Sequence, residues 1–491
     1  EPVYTENVLN TYAFGLESEL TEDASVLNVT YRLNNSNATS VNVLVYEGEE
    51  VVATIAGGTS IGKNVVEVAT AELPQGVELT WGVEVNGTSV EVPTQEAKIH
   101  SFYHPSGLDI DINPENPTFG TLITNEAMQA AKSLTGYISY GYGAGIYVFD
   151  PTFKPVKNGS NPGFNGGITF TNNRADAATS AYSPRRVRIS DDGRIFVSGQ
   201  NTDGKVLWEV NPTNYNQWTE VIAGKVSTAD VNDVLNSAGT YIGGPNVSLD
   251  VRGSGKNLQL VMLSGIGKFK CSEYNLGTAT SWNAAPSKTY STTGIVNYTG
   301  TNVQYDKDGG IWYCQYRGAA SASEPSLVHI NANGTKDYTE TVSYRRNGAF
   351  RFNNDFTKVA IAGIAAGTNS KSVTIYSVSK NASGAPVLTQ EYVINMATLG
   401  NNINDLAWDY AGNLYACGNS SEKIAVWALP HSNGRVISTP AATKYAFTLQ
   451  AEAVEPEPEP VVEEPVAEEV KEEPVVEEPA VEETEVTEET E

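Results

Sequence analysis

Cysteine is nearly missing from this chain: three among 491 residues, at 271, 314 and 417. So odd and sparse a set excludes a disulfide framework, and no C-x-x-C spacing points to zinc. Cys314 and Cys417 each fall eight residues after an aspartate, Asp306 and Asp409, in two copies of one phrase. That placement marks them as small buried residues. Methionine (3) and histidine (4) are also scarce. No apolar run reaches the length of a membrane span. No G-x-S-x-G elbow is present. Lys and Arg number 31 against 58 Asp and Glu, so the chain lacks the basic face that general nucleic-acid binding needs and has little attraction for anionic lipid.

What is present is Gly (44), Tyr (25) and many Asn, Thr, Ser and Val, a mixture suited to short strands and tight turns. The charge of −27 is uneven: residues 449–491 hold 18 Glu and one Lys, so 17 of the excess negative charges belong to that end and ten to the rest. The segment 451–491, "EPEPEPVVEEPVAEEV…", has no aromatic residue and no apolar face. It reads as a disordered Glu/Pro/Val-rich tail that cannot bury enough surface to offset the entropy of ordering. The opening "EPVYTENV" without Met reads as a chain after leader removal or as one trimmed at its start; the first reading makes it secreted or held at a cell surface.

Residues 1–97 carry strands of period two: "SVLNVTYRL", "SVNVLVYEGEEVVATI", "NVVEVATAEL" and "VELTWGVEVNG". "EGEE" and "NGT" (Asn86 to Thr88) read as hairpin turns. About seven short strands in under 100 residues predict a small β-sandwich. The words "VTYRL", "VNVLVYEGEEVVATI" and "GVELTWGVEVNG" resemble the Ig-like domain of flagellar hook-capping proteins, also appended to many bacterial secreted proteins.

Residues 98–450 repeat one phrase. An inner strand, a turn and a second strand recur in "VRISDDGRIFVSG", "VQYDKDGGIWYCQYRG" and "LAWDYAGNLYACGN", and more loosely near 108, 248 and 350. Third strands follow, marked at one point by Asp150, Asn211, Asn275, Asn331, Ser379 and Pro430 at spacings of 61, 64, 56, 48 and 51. Six copies of about four strands predict an all-β chain whose main domain is a six-bladed β-propeller, with seven blades as the alternative count. In the turns, Asp, Gly and Asn sit where a strand must reverse. "DKDG" lacks the later bidentate Glu of a calcium loop. "LAWDYAGNLYACGNSSEKIAVWAL" (406–429) resembles an NHL-type repeat, which implies an architecture shared by ligand binders, scaffolds and hydrolases. "KIHSFYH" (98–104) is expected to complete the last blade beside "KYAFTLQ" (444–450), stapling the ring.

Propeller ligands usually meet loops at the channel mouth. The loops entering the inner strands supply His104, Arg185, Arg186, Asn246, Asn302, Arg345, Arg346, Asn347 and Asn404. Arg forks suit carboxylate, sulfate or phosphate, and Asn suits sugar hydroxyls. The plainer reading is that Asn caps backbone and Arg pairs with acids such as Asp405 or Asp250. Gluconolactonase-like propellers hold a divalent ion with Glu, Asn and Asp. Here Asn246, Asn302 and Asp405 lack a matching Glu and would hold calcium only weakly, so no cofactor is expected. His100, His104, His329 and His431 are dispersed. Asp109 and Asp111 read as hydrogen-bonding acids rather than a glycosidase pair. Tyr137, Tyr140 and Tyr142 read as blade packing, and sequons at Asn28, Asn37, Asn86 and Asn297 say little in so Asn-rich a chain.

These features together read as a non-enzymatic, monomeric recognition protein that binds a glycan or protein partner. The rival readings are a metal-assisted lactonase or lyase and a structural component of a bacterial surface.

Overall fold

A computed structural model describes residues 7–102, 105–126, 145–158, 161–162, 184–199, 204–215, 217–264, 270–291, 302–314, 327–340, 349–362, 372–399, 403–418, 423–431, 436–439 and 446–450. The acidic segment 451–491 lies outside them, as do Tyr137, Tyr140, Tyr142 and Asn297. The described residues are almost wholly strand and turn, and none of their helices is long and apolar enough to cross a membrane.

The first 87 residues supply six strands in two sheets. Ala13–Leu20, Val26–Leu33 and Asn64–Ala69 form one; Ala38–Glu47, Glu50–Gly57 and Glu78–Gly87 belong to the other. Alternation decides what is buried: Leu27, Val29, Tyr31 and Leu33 point inward from one sheet, and Val41, Val43, Val45, Trp81, Val83 and Val85 meet them from the other. Gly48, at φ 60°, closes the "EGEE" hairpin, whose flanking Glu47 and Glu50 pair. Asn86–Gly87 is not a turn. It lies in strand, opposite Ser40 and Ala38, because the chain leaves the sandwich there instead of folding back. Two strands from the far end of the chain, Val436–Thr439 and Phe447–Thr448, fill the place beside Glu78–Gly87.

Apart from two small sheets, Lys157–Asn158 with Asn161–Pro162 and Lys225–Val226 with Val234–Leu235 and Tyr241–Gly243, the other described strands form six sheets of similar build. Their inner strands are Pro105–Ile110, Pro184–Ile189, Asn246–Arg252, Asn302–Tyr305, Phe350–Phe352 and Ile403–Trp408. Each pairs with the strand that follows it in an antiparallel meander. Each inner strand lies beside the next in this order, and the sixth lies beside the first, so the inner strands close a ring. A closed ring of radial antiparallel meanders is a β-propeller. Ring closure mixes the two ends of the propeller: Thr94–Ser101 is the outermost strand of the sixth sheet and pairs with Lys423–Ala428. Residues 98–101 therefore close the ring as expected, but not beside 444–450. Phe447–Thr448 pairs with Glu78 and Leu79 of the sandwich instead.

The repeated phrase is explained by its turns. Gly193, Gly309 and Gly412, in "SDDGRI", "DKDGGI" and "DYAGNL", have φ of 84°, 91° and 76°, where a side chain would be strained. The acids accept backbone N–H groups: Asp306 Oδ1 from Asp308 and Gly310, and Asp409 Oδ1 from Ala411 and Asn413. At the end of the third strand a second Asx turn recurs, at Asp150, Asn211 and Asn331. In the fifth sheet it falls at Asn381, two residues beyond Ser379, because that strand runs on to Lys380.

Candidate functional site

Four inner strands begin with a register slip: at Pro105/Gly107, Pro184/Arg186, Asn246/Ser248 and Ile403/Asp405. A bulge bends the strand and re-aims the side chains after it. Two polar positions follow. The first holds Arg186, Ser248, Asn302 and Asp405; the second, two residues on, holds Asp109, Arg188, Asp250, Gln304 and Arg351.

These side chains stitch one sheet to the next. Asp109 Oδ2 accepts from Ile189 N (2.8 Å), Asp250 Oδ2 from Tyr305 N (2.7 Å), Gln304 Oε1 from Phe352 N (2.9 Å) and Asp405 Oδ2 from Leu108 N (3.1 Å). Asn302 Nδ2 donates to Phe350 O and Asn404 Nδ2 to Pro105 O. At the axis two guanidinium groups meet three carboxylates. Arg188 grips Asp405 with two bonds, 2.7 and 3.1 Å, and both side chains are all but sealed from solvent. Arg351 pairs with Asp109 at 3.1 Å, while Asp250 lies 3.7 Å from Arg351 and 3.9 Å from Arg188. Burial alone would push Asp405 up, but Arg188 and Arg186 hold its carboxyl below the usual range. Asp250, buried and only loosely paired, is pushed above it. Burial, against the pull of Asp405 and with the neighbouring Arg185 and Arg188 adding to it, brings Arg186 down to about 9, and its Nη1 donates to the carbonyls of Ser106 and Arg185.

Of the residues proposed for the strand-entry mouth, Arg185, Arg186, Asn302 and Asn404 are therefore buried at 7, 0, 1 and 3% exposure. The Asn302 and Asn404 side chains join neighbouring strands. Asn246 lies in its strand, its side chain outside the described residues, and His104, Arg345, Arg346 and Asn347 lie outside them entirely. Two of the oxygens considered for calcium are engaged: Asn302 Oδ1 accepts from Ser248 and Asp405 binds Arg188. Asp109 serves the ring, whereas Asp111 accepts from Asn113, Asn116 and Thr118 within its own turn.

The open concavity lies at the other mouth, where the inner hairpins turn. A recess of about 410 Å³ is lined by residues of all six sheets, among them Asp109, Asp191, Asp250, Lys307, Arg351 and Trp408. Its floor offers carboxylate acceptors beside a guanidinium donor, and its rim adds Asn353, Asn354 and the exposed Ile112. Alternation alone did not point here, because the floor residues come from the far end of each inner strand. The recurring Asp, Arg or Gln one residue before "I", "V", "Y" or "F" in those strands was the available signal.

No family model matches the chain, and no curated protein does. Solved structures similar to it include a Bacteroides thetaiotaomicron protein of unknown function, at 11% identity and TM-score 0.35, spanning 87% of this chain and 100% of that one. The WD40 β-propeller domain of Doa1 is similar at 9% identity and TM-score 0.39, over 70% of this chain and 99% of the other. Hydrazine synthase of Kuenenia stuttgartiensis is similar at 10% and 0.36, over 67% and 96%.

Proposed function

We propose that the chain is a non-enzymatic recognition protein: a six-bladed propeller with NHL-like repeats, joined to an Ig-like sandwich, that receives a glycan or protein partner in the recess at the hairpin-turn mouth. The observation that carries this reading is the convergence of all six inner hairpins on one concavity whose floor sets Asp109 and Asp250 beside Arg351. Paired acceptors and donors of fixed geometry suit hydroxyl or amide partners, which both give and take hydrogen bonds. The same carboxylates are held by guanidinium and backbone N–H groups, which supports binding rather than proton transfer.

A recess-filling variant, Ile112→Trp with Lys307→Trp, tests this. Both positions are exposed on the rim, so the fold is expected to survive. Binding on a glycan array, or to a partner caught by cross-linking from Lys307, should weaken by about tenfold or more, equivalent to ~1.4 kcal/mol. Unchanged binding in the folded variant would exclude the recess as the binding site.

A further inference from the structure

We propose that the fourth sheet carries a proton-operated clamp: His329, held as an imidazolium between Asp306 and Asp337, ties its inner hairpin, third strand and outer strand together, and losing the proton as pH rises releases them. This device is independent of what the protein binds.

The geometry is specific. His329 stands opposite Trp312 on one side and Tyr338 on the other in the strand register. Its side chain is 6% exposed. Nε2 meets Asp306 Oδ2 and Nδ1 meets Asp337 Oδ1, both in close hydrogen bonds. A neutral imidazole has one N–H and one lone pair, so it can satisfy only one of these acceptors and turns the lone pair on the other. Only the imidazolium donates to both. The carboxylates are not spare: Asp306 Oδ1 takes the N–H groups of Asp308 (2.8 Å) and Gly310 (2.7 Å), which fixes the hairpin. The imidazole lies over Trp312, ring centroids 4.6 Å apart, an arrangement that favours a cation.

Gly310 is a second mark of the clamp. A Cβ there would stand 2.7 Å from Asp306 Oδ2, 2.9 Å from His329 Nε2 and 2.4 Å from Ile330 O. The second glycine of "DKDGG" thus makes room for the pair, while the first supplies the turn.

The other charged groups around the site are Lys307 and Asp308 on the hairpin and Lys380 from the fifth sheet, whose Nζ lies 2.6 Å from Asp308 Oδ2. Lys380 and Asp308 offset each other's charge, whereas Asp306 and Asp337 touch the imidazole itself. Burial alone would lower the His329 pKa, but Asp306 and Asp337 together raise it above the ordinary value. Since the folded value is the higher, the clamp contributes fully below the ordinary histidine pKa of about 6.5 and is lost as pH rises through the folded value.

The clamp stands in a wall with two faces. Outside it, a recess of about 290 Å³ between the fourth and fifth sheets is lined by Trp312, His329, Asp337, Phe352 and Phe356. Asp306, Lys307, Phe352 and Phe356 also line the axial recess. Asp306, which the clamp holds, therefore borders both recesses.

Histidine NMR titration of the full chain, with only four histidines to assign, tests the proposal. His329 should titrate above the ordinary value, and Asp337→Asn should move that titration down. The melting-temperature advantage of the native chain over His329→Gln should be largest near pH 6 and shrink as pH rises. A His329 that titrates at or below the ordinary value overturns the proposal. So does an Asp337→Asn variant with the same titration, or a His329→Gln curve parallel to the native one at every pH. If His329→Gln fails to fold, the Asp337→Asn titration decides alone.

Discussion

Arg188 and Asp405 face each other across the propeller axis with almost no solvent. Such a pair gains little over apolar residues of the same size, but removing one partner strands the other. Arg188→Met should therefore cost about 3–5 kcal/mol in denaturant unfolding, and adding Asp405→Leu should recover much of that loss. A double variant no more stable than Arg188→Met would show that Asp405 is satisfied without Arg188. Gly107 is equally exacting. A Cβ there would lie 2.8 Å from Arg186 Cα and 3.0 Å from Val187 N, atoms of the neighbouring inner strand. Because backbone cannot swing aside, Gly107→Ala should destabilise by about 1–3 kcal/mol. A thermal melt matching the native chain would mean that the first two sheets can part at no cost.

The strand Thr94–Ser101 shows what one element contributes. Without it, Lys423–Ala428 would be a bare edge, with unpaired N–H and C=O groups. Replacing residues 94–101 by a Gly/Ser linker of equal length should lower the melting temperature and speed amide exchange at 423–428. An unchanged melt and unchanged exchange would exclude strand closure. Glu96 on this strand also accepts from Asn7 N, Val8 N and Ala97 N, so the same element anchors the start of the described chain. Most elements were legible in the sequence: the inner hairpins, the third strands and the sandwich strands announce themselves by alternation and by Gly or Asn at reversals. The misplacements have a common cause. Asn86–Gly87 has the composition of a turn but meets Ser40 and Ala38 across the sheet, and 447–448 is a strand whose partner lies far back in the chain. Local pattern carries neither fact.

Across the whole molecule, sandwich and propeller interlock. The chain leaves the sandwich at Gly87, closes the ring with Thr94–Ser101 and returns at Val436–Thr439. A seam reinforces this. Asn10 N donates to Asn413 Oδ1 (2.8 Å), Asn413 Nδ2 returns to Asn10 O (2.9 Å), and Tyr12 and Phe14 pack with Phe119 and Ala411. Shared strands and a shared core make independent melting unfavourable, so calorimetry should show one cooperative transition for the folded part. Two separate transitions would mean that the interlock is not strong enough to couple them.

By itself the sequence determined the strand content, the repeat with its six inner hairpins, the turn glycines and the uneven charge. These depend on neighbours along the chain, where side-chain alternation and tolerance of positive φ act. The tertiary structure alone decided where the ring closes, that Asn302, Asn404 and Asp405 spend their hydrogen bonds on the next sheet, and that the open recess lies at the hairpin-turn mouth. Those outcomes turn on which strand edges meet and on bulges that re-aim side chains, through contacts between residues far apart in the chain, such as Leu108 with Asp405 and Thr94 with Ala428.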